Sequence, residues 1–232
     1  MIELGENEIA EDLMIGGYKV IQSKTLYRFS SDAILLSRFA EGRRGETVAD
    51  LCAGSGIVGF HFFALNEGKT KTVDFFELQE SLADLCEKSI VYNDLGGRAF
   101  CHCGKLQEID PSFNGKFSLV LCNPPYKKGD TGIVNPEDHI ALCRHEIAVT
   151  LDEIVACAAR LLKFGGRFCL CQRTERLADA ICSLRAHGLE PSRLRFVTAG
   201  KREEPYLFLV EAGKGKSPSF RVLPPLKNNV PV

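Results

Sequence analysis

Between residues 47 and 211 short apolar runs alternate with amphipathic stretches, and this alternation limits the possible folds more than any other feature of the chain. Strand-like runs fall at 47–52, 72–77, 99–103, 117–122, 167–172, 194–198 and 206–211. Helical periodicity fits 56–66, 79–94, 150–163 and 174–187. Strands that alternate with helices imply a parallel sheet covered on both faces. The link at 199–205 is too short for a crossover helix, so the last two strands must pair antiparallel. The expectation is an α/β fold with a seven-stranded, mostly parallel sheet and one antiparallel strand. In such sheets ligands sit outside the carboxyl ends of the strands.

Three of those strand ends carry chemistry. The run 117–122 leads into Asn123-Pro124-Pro125-Tyr126. Two prolines fix φ and remove two N–H donors, so the segment is stiff and its carbonyls stay free to accept. Asn123 Oδ1 and the Pro124 carbonyl can accept both protons of an amino group on a planar ring, with Tyr126 stacked on the plane. The bland alternative is a strand ending in a Pro-Pro turn capped by Asn. Upstream, Val48 to Leu51 runs into Cys52-Ala53-Gly54-Ser55-Gly56-Ile57-Val58-Gly59 and then into a helical pattern. Glycines there permit a tight turn and close approach of a ligand to the backbone. Glu77 ends the next strand, 21 positions beyond Gly56. An acidic residue at that distance is placed for ribose hydroxyls. The string Gly54-x-Gly56-x-x-Gly59 admits a dinucleotide site, but that reading leaves Asn123 to Tyr126 without a role. Gly165-Gly166 reads as a helix stop before the fifth strand. Lys127, Lys128 and Arg144 fall in or beside a long loop, 126–148, suited to a substrate lid.

The chain has 232 residues, 45% apolar and 25% charged, enough for one generous domain with a self-sufficient core. The reading divides it into an N-terminal extension at 1–46, a catalytic domain at 47–212 and an irregular tail at 213–232. In the extension, Leu13-Met14-Ile15 and Tyr18 to Gln22 flank Gly16-Gly17 as a hairpin. Ser30-Ser31-Asp32 caps a helix beyond it. Net charge is −1, yet residues 193–232 carry eight basic and three acidic side chains. That basic end is suited to phosphates, and Lys201 and Arg202 join Lys127, Lys128 and Arg144 as candidate phosphate contacts. Ten cysteines include no C-x-x-C pair. Cys101/Cys103 and Cys169/Cys171 are i, i+2 pairs on strands, which reads as buried free thiols, no metal site and a reducing cytoplasm. Met1 to Asp12 has five acidic and no basic residues, unlike a signal peptide. No apolar stretch approaches the roughly 18 residues of a membrane span.

These motifs carry a resemblance. Asp50-x-x-Ala53-Gly54-x-Gly56 resembles the S-adenosylmethionine loop of class I, Rossmann-like methyltransferases. Together with Gln22, Phe29-Ser30-Ser31-Asp32-Ala33, Glu77-Leu78-Gln79, Asn93, Asn123 to Tyr126 and Arg144-His145-Glu146, it is similar to the bacterial tRNA adenine-N6 methyltransferases that modify valine tRNA beside the anticodon. The likeness covers roughly residues 10–212. It implies S-adenosylmethionine as cofactor, held by Asp50, Cys52, Ala53, Gly54, Gly56, Glu77, Leu78 and Asn123, with Asn123, Pro124, Pro125 and Tyr126 at the reacting base and tRNA as partner. Asn-Pro-Pro-Tyr also occurs in methylases of protein glutamine and rRNA guanine, which stay as alternatives. A non-catalytic nucleotide- or RNA-binding module is the alternative of another class. Where many relatives have an acidic contact to the cofactor adenine, this chain has Cys103-Gly104-Lys105-Leu106. Either Lys105 points away and backbone groups serve, or cofactor affinity is lower.

Overall fold

The computed structural model describes residues 3–26, 31–124, 149–200, 203–215 and 219–228. Strands β1 (Glu8–Asp12) and β2 (Lys19–Ser23) form an antiparallel hairpin, and helix α1 (Ser31–Phe39) follows. The main body comprises β3 (Glu46–Leu51), α2 (Ile57–Leu65), β4 (Thr70–Glu77), α3 (Glu80–Tyr92), β5 (Ala99–Cys103) and β6 (Phe117–Cys122). It continues with α4 (Leu151–Leu161), β7 (Leu162–Arg173), α5 (Leu177–Ala186), β8 (Leu189–Ala199), β9 (Pro205–Lys214) and β10 (Arg221–Asn228). The large sheet has the order β10-β8-β9-β7-β6-β3-β4-β5. Only β9 runs antiparallel to its neighbours, β7 and β8.

Parallel strands covered on both sides read as continuous apolar runs. β6, Phe-Ser-Leu-Val-Leu-Cys, is buried at all six positions. One core packs Phe39, Phe60 and Phe63 of α1 and α2 on Val48, Leu119 and Leu209. The other packs Ile154, Val155 and Leu184 of α4 and α5 on Ala49, Val120 and Phe208. Helix α4 starts at a reciprocal cap: Glu153 N–H donates to Thr150 Oγ1 (3.3 Å), and Thr150 N–H donates to Glu153 Oε2 (2.8 Å).

The sheet has eight strands where seven were expected, because β10 lies in the stretch read as an irregular tail. Pro224 and Pro225 hide it from pattern reading. Prolines are tolerated on an edge strand, and here they coincide with the register shift between Leu223 and Leu226. The first hairpin strand lies at 8–12 rather than 13–15, where Met14 instead adopts a left-handed φ of 57°. Gly165-Gly166 does not stop a helix. Helix α4 ends at Leu161, and the glycines sit inside β7 at the register shift against β6. All nine cysteines among the described residues are free.

Candidate functional site

Strands β3, β4 and β6 are adjacent and parallel, with Leu51 level with Phe76 on one side and Cys122 on the other. Residues one step further along, Cys52, Glu77 and Asn123, therefore emerge together at the carboxyl end of the sheet. Neighbouring strands lie about 4.8 Å apart, so Asn123 and Glu77 flank the Gly-rich loop at roughly 10 Å from each other.

The loop turns through three left-handed residues, Cys52 (φ 54°), Gly54 (φ 58°) and Gly56 (φ 88°). At Gly56 a Cβ would come within 2.6 Å of the Phe60 ring and 2.9 Å of Cys86 Sγ. At Gly54 a Cβ would meet nothing within 4 Å, so this is where the loop faces open space. Two carboxylates hold the turn. Gly54 N–H donates to Glu77 Oε2 (2.7 Å) and Gln79 N–H to Glu77 Oε1 (2.9 Å). Gly59 N–H donates to Asp50 Oδ2 (2.8 Å), fixing the first turn of α2. Burial raises the Glu77 carboxyl above its ordinary range, opposed by the N–H groups of Gln79, Gly54 and Leu78. Burial pushes Asp50 well above its ordinary value, against the Gly59 N–H.

Asp50 is thus 1% exposed, and its Oδ1 is a buried acceptor with no hydrogen-bond partner among the described residues. Leu78, beside Glu77, keeps 38% of its surface exposed. Cys52 and Asn123 are half-buried, and Ala53 and Pro124 are buried. Lys105 turns along the surface to Glu108 (3.3 Å), while Gly104 N–H donates to the Glu77 carbonyl (2.9 Å). Lys105 is thus engaged with Glu108, and the Gly104 N–H is taken up by the Glu77 carbonyl. Pro125, Tyr126, Lys127, Lys128, Arg144, Lys201 and Arg202 lie outside the described residues, as does the loop 126–148.

A loop anchor appears for which pattern reading offers no signal. Gln22 at the end of the hairpin donates through Nε2 to Ser55 Oγ at short range. The two residues are 33 positions apart, and both are buried. The hairpin reaches the loop because α3 holds it. Ser89 Oγ accepts from Ile21 N–H (2.8 Å), and Asn93 both accepts from Lys19 N–H (2.8 Å) and donates to the Lys19 carbonyl (2.6 Å). Ile21 packs on Leu82 and Leu85. Gln22→Ala is expected to cost about 1–2 kcal/mol, because it strands a buried hydroxyl. Denaturant titration should show a lower midpoint at an unchanged slope, whereas wild-type stability would remove Gln22 from the loop's support.

The chain is similar to known proteins in sequence and in fold. The family model for the methyltransferase small domain matches residues 29–183. A tRNA1(Val) (adenine(37)-N6)-methyltransferase of Parabacteroides distasonis is 23% identical over 194 residues, covering 84% of this chain and 80% of that one. The protein of the same description from Cronobacter sakazakii is 26% identical over 151 residues, 65% of this chain and 60% of its own length. Among solved structures, a protein described as a "predicted O-methyltransferase" from Agrobacterium tumefaciens superposes with a TM-score of 0.66 at 20% identity. It covers 84% of this chain and 86% of its own.

Proposed function

The chain belongs to the methyltransferase small domain family, and from that premise we propose that it methylates N6 of an adenine in tRNA with S-adenosylmethionine. The adenine beside the anticodon of valine tRNA is the preferred target, by likeness to the relatives described as acting there. One observation carries the reading. The Gly54 opening, the Glu77 carboxylate and the Asn123-Pro124 corner stand on three adjacent strands at one end of the sheet.

The residues present suit the cofactor. Glu77 faces the N–H groups of Gly54, Gln79 and Leu78, and its two oxygens still offer a lone pair to ribose hydroxyls. Leu78 offers an exposed apolar side chain beside it, and Asp50 Oδ1 is an unsatisfied acceptor beneath the loop. When bound, S-adenosylmethionine supplies an electrophilic methyl group on a sulfonium. The chain's own contribution is at the amino nitrogen. An adenine N6 lone pair is conjugated into the ring and nucleophilic only weakly. Asn123 Oδ1 and the Pro124 carbonyl accept hydrogen bonds from its two N–H groups, turn the lone pair out of conjugation and aim it across the loop. Alignment of that kind is the main source of rate here. Lifting the base from its stack costs a few kcal/mol, and stacking on Tyr126 returns about 1–3 kcal/mol. An anticodon loop, already partly unstacked, lowers the cost further.

Incubating the protein with tritiated S-adenosylmethionine and tRNA transcripts, then separating nucleosides by mass spectrometry, tests the proposal. N6-methyladenosine is expected. Label in protein glutamine or in guanosine would replace the assigned substrate, and no transfer to any acceptor would favour a binding module.

A further inference from the structure

Away from the Gly-rich loop, α1 and the far edge of the sheet enclose a second concavity of about 440 Å³. Its floor is apolar, with Ile34, Leu35 and Leu209 among its lining. Three cations border it: Arg38 in the last turn of α1, Arg195 on β8 and Lys227 on β10. None of the three has an ion pair with an acidic side chain among the described residues. The contrast with the neighbouring arginines is sharp. Arg193, two residues from Arg195 on the same strand, is held by Glu211 (2.8 Å) and Glu41 (2.5 Å), and Arg167 by Glu46 (2.8 Å) and Glu211 (3.2 Å). Glu41, Glu46 and Glu211 are thereby paired with Arg193 and Arg167, and the described residues lining the groove include three cations and no acidic side chain. Among the described residues the Nε atoms of Arg195, Arg193 and Arg167 are alike buried without a hydrogen-bond partner, so the difference between them lies in their ion pairs.

We propose that this groove seats the sugar–phosphate backbone of the RNA substrate at a distance from the reacting base. The proposal rests on the tRNA reading above. Phosphate oxygens match the cationic side chains of Arg38, Arg195 and Lys227 that line the groove. The groove's upper end lies on the same rim as the candidate active site. There Asn228 donates to Ser31 Oγ (2.8 Å) and Tyr206 Oη (2.9 Å), clamping β10 to the start of α1. From β6, which carries Asn123, to β10 there are four strand steps through β7, β9 and β8, or roughly 19 Å at ordinary spacing. The cations would therefore grip backbone flanking the target loop and contribute to affinity without touching the cofactor.

The test compares wild-type protein with a variant carrying Arg38→Ala, Arg195→Ala and Lys227→Ala, using a full-length tRNA transcript. Binding as a function of salt and methyl transfer are both measured. The variant should bind the transcript at least tenfold more weakly, and its log–log salt slope should be shallower by about 2, from roughly 0.7 per lost phosphate contact. Cofactor affinity and thermal midpoint should be unchanged. The charge-keeping variant Arg38→Lys, Arg195→Lys, Lys227→Arg should recover most of the salt slope, which separates a charge effect from misfolding. Wild-type methylation of tRNA together with an unaltered Kd and slope in the alanine variant would overturn this proposal alone. A wild-type protein that neither binds nor methylates tRNA would overturn both it and the assigned substrate.

Discussion

Asn123→Ala is expected to lower methyl-transfer turnover by about 10²–10³-fold while S-adenosylmethionine affinity changes little. The reason is the position of the side chain. Asn123 is the first residue past β6, one strand from the Gly-rich loop and two from Glu77. The loop and Glu77 are tied together by their own hydrogen bonds, from Gly54 and Gln79 to the Glu77 carboxylate, in which Asn123 has no part. Truncating the amide therefore leaves that anchorage standing and removes an acceptor preorganised for the amino group in the transition state. A preorganised polar group of this kind acts on turnover more than on ground-state binding. Isothermal calorimetry for the cofactor and single-turnover kinetics with tRNA separate the two quantities. Full turnover in the variant would dissociate the Asn-Pro corner from the chemistry.

Glu77→Ala should act in the opposite sense, lowering S-adenosylmethionine affinity at least about tenfold, since hydrogen bonds to charged groups contribute roughly 1.5–3 kcal/mol. A loss of stability is expected as well. Both carboxylate oxygens accept backbone N–H groups, at 2.7 and 2.9 Å. Truncation strands two part-buried donors at roughly 1–3 kcal/mol each. Glu77→Gln keeps one acceptor oxygen and should fall between wild type and Ala in both measurements. The pH dependence follows from burial, which raises this carboxyl above its ordinary range. Ribose hydroxyls are best bound by the ionised form, so cofactor affinity should decline as pH falls through the raised value, earlier than for a solvent-exposed glutamate. Wild-type affinity in Glu77→Ala would displace the ribose contact from this residue. An unchanged thermal midpoint would deny its second role in pinning the loop.

Much of this was legible in the sequence because it is written in short-range patterns. Apolar runs such as 117–122, alternating with amphipathic helical stretches, are the pattern of strands in a covered parallel sheet. The 199–205 link leaves no room for a crossover, so the antiparallel β8–β9 pair follows from chain length alone. Glycines at 54 and 56, in left-handed conformations, mark the turn from any distance. Asp50, Glu77 and Asn123 are separated by 27 and 46 positions, yet each ends a strand, and parallel strands bring their ends to one side.

What only the tertiary structure decided depends on pairings between segments with no mutual signature. Gln22 meets Ser55 because α3 supplies Ser89 and Asn93 to a hairpin edge. Strand β10 exists because an edge of the sheet accepts prolines that no interior strand would. The groove of Arg38, Arg195 and Lys227 gathers charges from three distant elements, and among the described residues they have no ion pair, while Glu41, Glu46 and Glu211 pair with Arg193 and Arg167. Periodicity reports which face of an element is buried. It carries no record of which carboxylate a given arginine meets, because that choice is made by packing across the whole chain.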